Sequence, residues 1–194
     1  MNHQPSALHP RIVTCDPVAG FSPQIGRYVA QMTEVRQDLL HEVDGLTVPQ
    51  LDWHPDDDTE SIGTLLLHLD AVEWSWIHQD IFGAGDDAYP GSWAEAMPIR
   101  MSSPQVQGRP LAAYLDQLAA TRARTLEVLR GFNDADLARQ VGEAEPPPGM
   151  EPRSTLYTID WIIWHIVEHE ATHVGQIELL RRLGPRPVGQ PSAP

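Results

Sequence analysis

His169 and His173 stand four residues apart in a stretch whose apolar residues recur at helical spacing. The stripe runs Ile162, Ile166, His169, His173, Ile177, Leu180. Steps of three and four place both imidazoles on one face of a helix, one turn apart. Polar groups on a core-facing stripe cost free energy unless each finds a partner. A lone core histidine is commonly satisfied by a hydrogen bond, but two at this spacing can converge on one divalent transition metal. Zinc and nickel both suit imidazole. A site with an open position needs a third protein ligand. His68, between Leu65 and Val72 at the seam edge of an upstream helix, is the best placed; its rivals are His78, near the end of that helix, and His165, one turn before His169. Three successive turns of one helix do not easily wrap a single ion, so His165 is expected to line the pocket or simply to pack. Glu170 and Gln176 are candidates to hold the imidazoles from behind, as metal-bound histidines usually require. Glu73 follows His68 by five residues, about 140° round a helix at 100° per residue. It is expected behind the site, in an interhelical hydrogen bond, or on the surface. His3, His9, His41 and His54 fall in arms, turns or a helix end and read as surface residues.

The same segment, His169-Glu170-Ala171-Thr172-His173, spells H-E-x-x-H, the zinc-protease helix motif. Such proteases take their third ligand downstream of the motif. Here 21 residues follow His173, and none is a histidine. Gly175 does not fall where the extended motif needs its glycine. No strand is in sight to align a peptide, so a peptidase is rejected.

Four amphipathic segments must position these residues. Ser22-Pro23 reads as an N-cap and first helical position, followed by Ile25, Val29, Met32, Val35, Leu39 and Val43 up to Gly45. Thr47–Pro55 reads as a short turn, with Leu51 and Trp53 plugging a core edge. The second helix starts near Thr59 or Ser61 and ends by Gly83. Residues 83–109 are rich in glycine and proline and read as a long crossover. Pro110 opens the third helix, whose apolar face carries Leu111, Leu115, Leu118, Leu126 and Leu129 up to Gly131; Phe132–Val141 can add a further turn. After the break at Pro146-Pro147-Pro148-Gly149, the fourth helix runs from near Thr158 to Leu183, stopped by Gly184-Pro185. Trp161 and Trp164, near its start, could line a pocket mouth or pack. The expected fold is all-α, a four-helix bundle over residues 22–184, with an irregular arm (1–21) and a flexible tail (185–194).

The chain has 194 residues, enough for a hydrophobic core that needs no disulfide or structural metal. Asp and Glu outnumber Lys and Arg 27 to 13, for a net charge of −14. That balance argues against nucleic acid and anionic membrane surfaces as partners. The lone cysteine, Cys15, cannot form an internal disulfide, and no segment approaches a membrane span. A cytoplasmic protein is expected.

Ser61-Ile62-Gly63-Thr64-Leu65-Leu66-Leu67-His68-Leu69, with Glu73 and Trp76-Ile77 after it, resembles the second helix of the DinB/YfiT-like superfamily. His165 to Ile177, with its H-x-x-x-H pair, resembles that superfamily's last bundle helix, and Leu51-Asp52-Trp53-His54-Pro55 its linker before helix 2. The resemblance implies an up-down-down-up bundle, which accounts for the long crossover. It also implies a divalent ion bound by His68, His169 and His173. Characterised relatives are metal-dependent enzymes acting with low-molecular-weight thiols, such as bacillithiol transferases and mycothiol-dependent maleylpyruvate isomerase. The implied activity is therefore a thiol S-transfer onto a small electrophile, with the thiol as cosubstrate and the chain working as a homodimer. A metal-dependent hydrolase at the same site, or a stress-related metal-binding bundle without turnover, is the alternative. The sequence marks no catalytic residue beyond the ligands.

Overall fold

Pro23 fixes the first turn of α1 (Pro23–Val43), which buries Ile25, Val29, Met32, Val35, Leu39 and Val43 along one face. The computed structural model describes residues 14–92, 96, 105–141 and 155–185. Most of the N-terminal arm, much of the crossover, the break at Pro146–Gly149 and the tail from residue 186 lie outside the described residues. Thr47 starts a single helical turn, α2 (Val48–Leu51), in a capping box with Gln50. Leu51 is wholly buried and Trp53 packs beside it. Ser61 caps α3 (Ile62–Trp74) by accepting the Thr64 N–H at 3.2 Å, and Ser75–Asp80 continue as a π-helical segment. Two long helices follow, α4 (Leu111–Arg130) and α5 (Ile159–Leu183). Thr158 caps α5 through the Trp161 N–H, and Arg181 and Arg182 lie in its last turn, where cations suit the helix dipole.

The architecture is all-α. Helix α1 packs along α5, and α3 packs on both α4 and α5. The sole sheet among the described residues is a two-residue antiparallel pair, β1 (Gln140–Val141) and β2 (Tyr157–Thr158), with Gln140 opposite Thr158 and Val141 opposite Tyr157. The helical turn expected within Phe132–Val141 is a 3-10 turn, Asp134–Ala138. It has a task elsewhere in the chain. The Ser22 hydroxyl, expected to cap α1, instead donates to Asp134 at 2.6 Å. The Asp134 carboxylate itself accepts from the free N–H groups of Gln24 (3.0 Å) and Ile25 (3.3 Å). These bonds hold its carboxyl below the usual range. No helix among the described residues is long and apolar enough to cross a membrane.

The core is not uniformly apolar. Each long helix contributes one charge to a buried quartet: Arg36 from α1, Glu73 from α3, Arg122 from α4 and Glu170 from α5. Arg122 forks onto Glu73 through Nε (2.8 Å) and Nη2 (2.9 Å), and reaches Glu170 at 2.7 Å. Arg36 pairs with Glu170 through Nε and with Glu73 at 3.2 Å. Nη1 of each guanidinium donates to a backbone carbonyl on another helix, Arg36 to Leu118 and Arg122 to Met32. Burial by itself pushes the Glu73 carboxyl up; Arg122 and then Arg36 outweigh it and hold the carboxyl below its ordinary value. On α1, α4 and α5 the quartet residue lies between residues of two apolar clusters. One contains Leu39, Leu66, Leu118 and Ile177, the other Met32, Leu129, Ile162 and Ile166.

Two outcomes follow from this packing. Arg122→Met leaves two buried carboxylates to share Arg36 alone, and the loss of one partner from a buried ion-pair group costs about 3–5 kcal/mol. Urea unfolding should show it, and the gap between wild type and Glu73→Gln should be full above the free carboxyl value of about 4.5. It should close as the pH falls through the lower folded value, because a protonated Glu73 no longer pairs. Gly63→Ala tests packing. A Cβ at Gly63 would stand 2.6 Å from the Tyr114 hydroxyl and 3.3 Å from the Leu51 carbonyl. Helix propensity favours Ala by about 1 kcal/mol, while overpacking costs about 1–3 kcal/mol. A net loss of thermal stability is expected.

Candidate metal centre

Helix α3 is buried almost all round. Of its 13 residues, His68 is the one that is not buried. A helix of this kind offers solvent a single opening, and an imidazole stands in it. His169 and His173 face it from α5, His169 half-buried and His173 buried. One donor atom from each of the three lies within 4.8 Å of the other two. The His169 and His173 Nε2 atoms are 3.1 Å apart. Ligands at about 2.0–2.1 Å from a tetrahedral ion have nitrogens about 3.3 Å apart, so small rotamer shifts suffice to close the set.

The nitrogens turned away from the centre are held. His68 Nδ1 lies 3.2 Å from the Ala96 carbonyl, and His173 Nδ1 lies 2.6 Å from Gln176 Oε1. A backbone carbonyl only accepts, so in His68 Nδ1 carries the proton and Nε2 keeps its lone pair, while the Gln176 amide holds the His173 ring from behind. Burial pushes His169 down to about 3, helped by His173, His68 and His165 nearby. Its ring is therefore neutral at physiological pH. Three imidazoles, two of them oriented by hydrogen bonds, are a donor set that fits a divalent transition ion.

The other sequence candidates separate clearly. His165 stacks on Trp161, with centroids 4.7 Å apart, and its Nδ1 is 3.3 Å from Glu168. Its ring lies 5.6 Å from that of His169, beside the donor group and not in it. His78 sits on the π-helical segment, stacked on Trp74. Burial and then Arg124 lower its pKa. His54 faces the Asp56 carbonyl in a loop. Gln176 is directly behind a triad ring. Glu73 and Glu170 are taken up by Arg36 and Arg122, one layer away. Trp164 is exposed. The two arginines and the Ala96 carbonyl were not found from the sequence. The signal for the arginines was present, since Arg36 and Arg122 each interrupt a helical stripe of core residues. A backbone acceptor leaves no signal in side-chain types.

A family model described as the DinB superfamily matches residues 31–177, a span that includes all three imidazoles. A solved structure, described as the conserved protein of locus from Enterococcus faecalis, superposes with a TM-score of 0.58 at 16% identity. The match covers 81% of this chain and 94% of that one, a likeness of fold. No functionally curated protein matches the chain. With the family match spanning three quarters of the sequence and both histidine segments, the chain belongs to the DinB superfamily.

Proposed function

We propose that His68, His169 and His173 hold one divalent transition metal, zinc or nickel, and that the chain is a metal-dependent transferase joining a small thiol to an electrophilic small molecule. The observation that carries this reading is the pair of hydrogen bonds at His68 and His173. They hold two of the three rings from behind, while one ring nitrogen from each of the three imidazoles lies within 4.8 Å of the other two. The bound ion would supply a Lewis-acid position at which a thiol ionises near neutral pH. The protein's own part is to present three imidazole ligands, to leave the side at His68 accessible, and to keep Gln176 behind His173. The buried quartet holds the two helices in register behind the triad. The up-down-down-up order of the helices, a homodimeric assembly and a cytoplasmic location belong to the same proposal, with neither nucleic acid nor membrane as a partner.

Elemental analysis of protein purified without chelator should find close to one transition metal per chain. His68→Ala, His169→Ala and His173→Ala should each lose most of it, while His78→Ala, His54→Ala and His165→Ala keep it. Gln176→Ala should weaken affinity by about 10–100-fold, the usual effect of removing a group that orients a ligand. Retention by the His169 and His173 variants would overturn the site. Thiol consumption with an electrophile supports the transferase; cleavage of an ester without thiol would replace it with a hydrolase, and no turnover of either kind with a binding protein.

A further inference from the structure

Helix α3 buries a second acid, outside the quartet. Asp70 accepts the Tyr89 hydroxyl at 2.5 Å and the Gln117 amide at 2.8 Å, and the same amide reaches the Tyr89 oxygen at 2.7 Å. Asp70 and Tyr89 are both buried, and the Tyr89 ring stands edge-on to Trp74, with centroids 5.4 Å apart. A buried carboxylate is costly unless it is hydrogen-bonded. An O–H···O⁻ bond of this length is about twice as strong as a neutral one. Burial, and then the charge of Asp70, push the Tyr89 hydroxyl far above its ordinary value, so it stays a donor. Tyr89 belongs to the connection from α3 to α4, directly after the 3-10 turn Asp86–Ala88. It is therefore a firm anchor for that connection.

Asp70 stands two residues after His68, about 200° round the helix and about 3 Å along it. Its side chain meets α4 through Gln117, whereas His68 faces the imidazoles of α5. The connection thus passes from one flank of α3 to the other between Tyr89, on Asp70, and Ala96, on His68. The Ala96 N–H donates to the Ser92 carbonyl at 3.1 Å, a four-residue helical step that advances about 6 Å. Three extended residues ahead of it add about 10 Å. Half the girth of a helix with its side chains is about 16–19 Å, so this path has no slack. Position 91 tightens it further. A Cβ there would stand 2.6 Å from Gln117 Nε2 and 2.7 Å from Tyr89 Cε1, so the backbone lies against the anchor itself.

We propose that Tyr89, held by Asp70 and Gln117, is a positioning residue of the metal centre. By fixing the path to Ala96 it keeps that carbonyl on His68 Nδ1, and so keeps the ring in the tautomer whose Nε2 is free to coordinate. The role rests on the metal reading for what the ring then binds, whereas how the ring is held is measurable without metal. Metal-free, full-length protein labelled with nitrogen-15 in its histidines is examined by nuclear magnetic resonance at about pH 8, where a free imidazole is neutral. The His68 signals are those missing from His68→Ala. In wild type the proton should sit on Nδ1. Tyr89→Phe and Gly91→Ala should each move His68 toward a mixture of both tautomers and weaken zinc binding at least tenfold. Asp134→Ala, which loosens the start of α1, should lower thermal stability and leave tautomer and zinc affinity at wild-type values. A wild-type His68 protonated on Nε2 would overturn the proposal whether or not the variants fold. So would a wild-type tautomer in both Tyr89→Phe and Gly91→Ala, or an equal shift in Asp134→Ala. The expected tautomer shifts in a protein that binds no zinc would leave the anchor standing and refute the metal site alone. Zinc held through His68, with tautomers unmoved in the two variants, would do the reverse.

Discussion

Two arginines and two glutamates meet where the four long helices converge, and none can be withdrawn without leaving an uncompensated net charge in a low-dielectric interior. A salt bridge so placed adds little stability over a well-packed apolar group, because desolvation offsets most of the attraction. What it does is discriminate. Leucine and isoleucine tolerate a helix sliding or turning slightly, whereas a forked guanidinium satisfies its carboxylates in one arrangement. All 13 basic residues of the chain are arginines, and two of them are spent here. Because Glu73 shares α3 with His68, and Glu170 is next to His169 on α5, fixing the quartet fixes the relative height and rotation of the two helices that carry the triad. The three imidazoles stand one layer from this lock.

Helix positions were legible in the sequence wherever a local rule decided them. Ser61, Thr158, Pro23 and Gly184 mark helix ends through capping, a fixed φ or a missing side chain, and all four do so in the structure, although the hydroxyl of Ser22 serves Asp134 and not α1. The three imidazoles could be picked out because the H-x-x-x-H spacing and the seam position of His68 are properties of single helices. The 140° angle between His68 and Glu73 rightly put Glu73 away from the ring. What it then touches is a matter of which helices are neighbours, and no single helix encodes that. Arg36 and Arg122 were overlooked for the same reason. Each is an oddity within its own stripe, explained only by a carboxylate from another part of the chain. The π-helical segment left no trace in residue types either, since it follows from how α3 packs at its end.

Helix α3 illustrates how the site and the fold constrain one another. Twelve of its residues are buried, so almost every side chain answers to packing, and the position freed from that duty is the one with an imidazole. The rings of α5 behave differently. They form a row that begins against the small sheet and ends in the three clustered imidazoles, so the face that builds the bundle's edge and the candidate metal centre are one surface.

The bond from His68 to the Ala96 carbonyl has an evolutionary corollary. Every residue type has the same main-chain carbonyl, so substitution at position 96 by anything small enough for the space leaves the acceptor in place. Insertion or deletion between α3 and α4 does not, because it displaces the oxygen along the chain's path. The orientation of this imidazole is therefore inherited through the length of that connection and not through the letter at position 96. Among diverging copies of this protein, drift in the spelling at that position would be silent, and drift in the length of the connection would not.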